Sequence, residues 1–64
     1  MNLVSPTVTR VQILLVEDDE AVRIMLMELL NREGYATLSA GDALEASALL
    51  SEVTPELVIT DFNM

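Results

Sequence analysis

From Val11 onward the chain reads as blocks in which the spacing of apolar residues changes abruptly. Gln12-Ile13-Leu14-Leu15-Val16 is a short, nearly continuous apolar run that stops at four acids, Glu17, Asp18, Asp19 and Glu20. Continuous rather than alternating apolarity predicts a strand buried on both faces, as inside a parallel sheet. Val22, Met25, Leu26, Leu29, Leu30 and Glu33 then recur at helical spacing. Asp19 is the predicted N-cap of this helix and Gly34 its C′ stop. Carboxylates in its first turn suit the positive end of the helix dipole. Ile24 and Met27 widen the apolar surface beyond one stripe, which predicts a helix packed against more than one layer.

Tyr35 to Ala40 is short and carries Thr and Ser, the pattern of an edge strand. Gly41 and Asp42 turn the chain into a second helix with Ala43, Ala46, Leu49, Leu50 and Val53 on one face. Thr54-Pro55 is its expected end, because the residue before proline is pushed out of the helical region. Leu57-Val58-Ile59-Thr60 is a third apolar strand, ending at Asp61. The predicted class is therefore α/β, in the order β-α-β-α-β. With a strand order of 2-1-3, right-handed crossovers place the two helices on opposite faces, and all three strands end at one sheet edge. Residues 1–10, with Ser5, Pro6 and two threonines but no periodicity, are expected as a tail ahead of a single unit over 11–64.

Composition narrows the chemistry. The chain has 64 residues, 11 of them acidic against three arginines, for a formal charge of -8, and it contains no Lys, His or Cys. Zinc fingers, thiol nucleophiles, disulfide frameworks and imidazole bases are excluded. So is a Gly-Lys-Ser/Thr phosphate loop, and with only Gly34 and Gly41 a Gly-x-Gly-x-x-Gly dinucleotide turn cannot be built. Three scattered arginines do not make the basic face that nucleic acid requires. No apolar run approaches the roughly 18 residues of a membrane span, and Met1–Arg10 lacks the apolar core of a secretory signal. A soluble cytoplasmic protein is expected, with neither nucleic-acid nor membrane partners. A domain of about 60 residues is marginal in stability. The 52% hydrophobic content is much for so small a particle to hide, which predicts association or incorporation into something larger.

An acidic run before a helix is ordinarily a solvated cap, and a lone Asp after a strand is ordinarily a turn residue. Their joint placement is the stronger signal. Strands 1 and 3, neighbours about 4.8 Å apart, would deliver Glu17, Asp18 and Asp61 to the crevice where open α/β sheets bind ligands. Such a cluster repels itself unless a cation or protonation relieves it. Oxygen ligands without nitrogen or sulfur favour Mg²⁺, with Mn²⁺ the alternative.

The stretch Ile13-Leu14-Leu15-Val16-Glu17-Asp18-Asp19-Glu20-Ala21-Val22-Arg23 resembles the opening of a response-regulator receiver domain, the CheY-like phosphoacceptor of two-component signalling. Glu33-Gly34-Tyr35 resembles the end of that family's first helix. Pro55-Glu56-Leu57-Val58-Ile59-Thr60-Asp61-Phe62-Asn63-Met64 is similar to its third strand and phosphorylation loop, the D-x-x-M pattern. The resemblance covers about Val11 to Met64 and implies the N-terminal half of a flavodoxin-like, doubly wound parallel sheet, truncated after strand 3. It implies that Asp61 is the phosphoacceptor and that Asp18 binds Mg²⁺ directly. Glu17 would act as the partner acid, often through water, and the Asn63 backbone carbonyl would be a further metal ligand. The implied partner is a sensor histidine kinase or phosphotransfer protein, and the implied role is a signalling phosphoacceptor rather than an enzyme.

Several departures accompany the resemblance. The family's later Ser or Thr and Lys, which hold the phosphoryl group, and its switch aromatic have no counterpart in these residues, and Ser47 stands where a Leu is usual. Weak or absent phosphorylation of this chain alone is expected for that reason. An apolar third strand at a sheet edge is a template for pairing. Self-association, through strand 3 or exposed helix faces, is therefore expected as well. The second functional reading is a non-catalytic oligomerisation or interaction module.

Overall fold

A computed structural model describes residues 11–60 of the chain. Its elements are β1 (Ile13–Val16), α1 (Glu20–Arg32), β2 (Thr37–Ala40), α2 (Ala43–Leu50) and β3 (Leu57–Thr60). All pairing is parallel and the strand order is β2-β1-β3, as the sequence pattern predicts. Leu14 lies between Leu38 and Val58 in register, and Val16 between Ala40 and Thr60. Every residue of β1 is buried, with Leu14 at 0% and Leu15 at 1% exposure, so the unbroken apolar run does mark a strand covered on both faces. Gln12 squares off the other end of the sheet. Its N–H donates to the Ala36 carbonyl at 2.8 Å, and its own carbonyl accepts from Glu56 and Leu57 at 2.9 and 3.0 Å.

Both helices carry the end signals written in the sequence. Asp19 Oδ1 accepts from the Val22 N–H at 3.1 Å and Asp42 Oδ1 from the Glu45 N–H at 2.7 Å, each satisfying a donor with no partner inside the helix. Glu45 Oε1 returns to the Gly41 N–H at 2.9 Å, a reciprocal cap displaced by one residue from the usual box. At the far end of α1, Gly34 takes φ +97°, where a side chain would be strained. The Gly34 N–H reaches the Asn31 carbonyl and the Tyr35 N–H the Leu30 carbonyl, which is the Schellman closure.

The two helices lie on opposite faces. Leu14, Val16 and Ala40 pack with Ala46 of α2, joined by Leu38 and Leu49. On the other face Ile13, Leu57 and Ile59 line a concavity of about 300 Å³ together with Leu30 and Tyr35, from the C-terminal end of α1. Among the described residues neither helix packs on β3, and Leu57, Val58 and Ile59 are all exposed. No described helix is long and apolar enough to cross a membrane.

Three details differ from the sequence pattern. The inward stripe of α1 is Val22, Leu26, Met27 and Leu30, all half-buried, whereas Met25 and Leu29 are exposed. Arg23 lies on the same half-buried side, its Nη1 donating to the Glu17 carbonyl. Among the described residues α1 contacts only β1 and β2, and Ile24 is left exposed. α2 ends at Leu50 rather than at Thr54-Pro55, and the chain leaves it through turns in which the Glu52 and Val53 N–H groups both donate to the Leu49 carbonyl. Finally, β2 begins at Thr37, after the Gly34 turn has delivered Tyr35 and Ala36.

Candidate functional site

The candidate site lies at the C-terminal edge of the sheet, and it is built from Glu17 outward. Glu17 continues β1: its N–H donates to the Ala40 carbonyl at 3.0 Å, extending the ladder one residue past the strand. Its carbonyl accepts from Arg23 Nη1 at 2.9 Å. Its Oε2 accepts from the Asp19 N–H at 3.1 Å. The last of these gives the carboxylate a donor where the residue is buried, at 8% exposure, while the other two satisfy its backbone. Asp18, the next residue, is exposed, and its carboxylate makes no hydrogen bond among the described residues. Asp19 is committed to capping α1.

The two acids singled out at the end of β1 therefore differ in kind. Glu17 is held and largely shielded, while Asp18 is open to water. Of the other two expected ligand residues, Asp61 follows β3 directly and Asn63 lies two further on, and both fall outside the described residues. Among the described residues no three acidic side chains meet as a group able to hold a metal ion. The donors that are described suit a hard cation. Glu17 and Asp18 offer only oxygen, and a free, hydrated carboxylate such as Asp18 is the kind Mg²⁺ uses, since that ion binds through one or two carboxylates and keeps several waters.

One contributor was not legible as a site residue. Arg23 reaches back from the second turn of α1 to Glu17, and Gly41, at the end of β2, lies directly beneath its guanidinium. The available signal was modest: an arginine six residues after the strand-ending acid, together with a glycine where the neighbouring strand ends.

The family model for the response regulator receiver domain matches residues 13–64. Sporulation initiation phosphotransferase F of Bacillus subtilis is 38% identical over 53 residues, which is 83% of this chain and 43% of that protein. The transcriptional regulatory protein PmrA of Pectobacterium parmentieri is 42% identical over 53 residues, 83% of this chain and 24% of its own. A probable chemotaxis protein CheY of Rhizobium etli is 34% identical over 56 residues, 86% of this chain and 43% of its own. The chain thus spans less than half the length of these curated relatives. No solved structure gives a significant match. The matched family model takes in the acidic end of β1 and all of β3, and the chain belongs to the response regulator receiver domains of two-component signalling.

Proposed function

We propose that the chain is the part of a receiver that takes up a phosphoryl group, with Asp61 as the acceptor and with Glu17, Asp18, Asp61 and the Asn63 carbonyl as the oxygen donors for Mg²⁺. The observation that carries this reading is the parallel pairing of β1 with β3, with Val16 opposite Thr60. The residues that follow in sequence are Glu17 on one strand and Asp61 on the other. Adjacent strands that end together supply neighbouring acids at the edge where α/β sheets do their chemistry.

An Asp61 carboxylate oxygen would form a bond to phosphorus as the phosphorus–nitrogen bond of a partner's phosphohistidine breaks. The imidazole nitrogen keeps the bonding pair. When bound, Mg²⁺ supplies charge neutralisation that lets an anionic phosphoryl group approach carboxylates. Glu17, fixed by its three hydrogen bonds, holds the loop in place. Asp18, exposed, is free to engage. The partner implied is a sensor kinase or a phosphotransfer protein. The 64 residues contain no lysine to pair with the phosphoryl oxygens, so transfer to this chain alone is slow.

Mg²⁺ titration followed by amide NMR, together with incubation with acetyl phosphate and intact-mass measurement, tests the reading. Asp18→Asn and Asp61→Asn are each expected to weaken Mg²⁺ binding, and Asp61→Asn to remove any phosphoryl adduct. Unchanged Mg²⁺ affinity in both variants overturns it, and rapid, stable phosphorylation of the chain alone overturns the slow-transfer part.

A second reading is favoured by the exposure of β3. Its apolar residues offer an open edge for pairing with another copy, so the chain acts as an association module. It predicts a concentration-dependent size by light scattering that Asp18→Asn and Asp61→Asn leave unchanged.

A further inference from the structure

Arg23 is half-buried, although arginine is mostly an exposed residue. Its Nη1 grips the Glu17 carbonyl at 2.9 Å. The same nitrogen lies 3.2 Å, and Cζ 3.8 Å, from the position a Cβ on Gly41 would take. The guanidinium is therefore laid across the loop after β2 while it holds the loop after β1. Gly41 is not in the left-handed region, so the absence of a side chain there serves space rather than backbone conformation. The seat is itself anchored, because Glu45 Oε1 accepts from the Gly41 N–H at 2.9 Å. Removing Arg23 leaves the Glu17 carbonyl without its donor at the point where the chain turns from strand to acidic loop.

We propose that Arg23 is a positioning residue for the divalent-cation site: by holding the Glu17 carbonyl from α1, in the space left by the missing side chain of Gly41, it fixes the backbone that presents the Glu17 and Asp18 carboxylates. The inference rests on the reading of those carboxylates as cation ligands. Charge alone makes the opposite demand. A guanidinium repels a nearby cation, so an arginine acting only through its charge would weaken Mg²⁺ binding, and its removal would tighten it. Positioning predicts the reverse sign.

The test is Mg²⁺ titration of the full chain, read from the amide NMR shifts of Asp18 and Asp19, in the wild type, Arg23→Gln and Gly41→Ala. Only the signals of folded protein are followed, so lost stability does not count as lost affinity. Arg23→Gln is expected to raise the Mg²⁺ Kd about tenfold, the lower end for partners that orient metal ligands from outside the coordination sphere. Gly41→Ala keeps the charge but sets a methyl 3.2 Å from Nη1, so the guanidinium must give by a few tenths of an ångström, and a smaller rise is expected. Unchanged or tighter binding by folded Arg23→Gln overturns the inference while leaving the cation site standing. If Arg23→Gln does not fold, Gly41→Ala decides, and an unchanged Kd there overturns the inference. A wild-type chain with no Mg²⁺-dependent shift overturns the cation reading and this inference with it.

Discussion

The two outer strands flank the same central strand in the same direction, yet they have opposite surroundings. β2 carries Thr37 and Ser39, alternates them with Leu38 and Ala40, and has packing from both helices. β3 reads Leu-Val-Ile-Thr, and all four residues are exposed. Polar positions and short length are how natural sheets finish an edge, whereas an unbroken apolar strand belongs between neighbours. The difference teaches that a strand's apolar content does not bury it. Burial comes from what lies on its two faces and beyond its far edge, and among the described residues only β2 has helices over it.

Leu14 offers a way to measure that contrast, because its register partners are Leu38 on one side and Val58 on the other. Leu14→Ala empties the most enclosed position and is expected to cost about 3 kcal/mol, within the range for fully buried leucines, and to abolish the cooperative urea transition of so small a domain. Leu38→Ala removes a half-buried side chain from the α2 face, and about half that loss is expected in the same measurement. Asp42→Ala uncaps the helix that covers this face, and about 1 kcal/mol is expected from the shift in urea midpoint. Val58→Ala should fall within about 0.5 kcal/mol of wild type, as exposed positions do. A loss at Val58 equal to that at Leu38 would break the comparison, since it would mean that β3 is covered in solution. Ile59→Lys sharpens it further: little change in stability, and loss of any concentration-dependent size if β3 pairs with a second copy.

Much of this architecture was legible because local signals and tertiary demands coincide. β1 needed only its unbroken run, and the termini of α1 needed only Asp19 and Gly34, whose capping roles follow from backbone geometry. The rotation of α1 was not legible. Met25 and Leu29 have the right spacing and hydrophobicity for an inward stripe, yet the side turned to the sheet carries Val22, Leu26, Met27 and Leu30 together with Arg23, whose bond to the Glu17 carbonyl no spacing rule shows. The early end of α2 was hidden as well: turns follow Leu50, with Glu52 and Val53 bonded to the Leu49 carbonyl, and the proline signal marks the end of those turns rather than of the helix. At the site, the acids were readable as residue types at a strand end. That one is shielded and the other open was not, because the division depends on hydrogen bonds from Ala40's neighbourhood and α1 that only the folded chain brings together.

The central place of β1 also bears on how the chain is made. Among the described elements it is the first to leave the ribosome, and its partner β3 is the last. Chain elongation at roughly 5–20 residues per second makes that interval a matter of seconds, whereas collapse takes microseconds. During those seconds Leu14 and Leu15 have no complete shelter. The strand most enclosed in the folded chain is thus the one that waits longest for its cover.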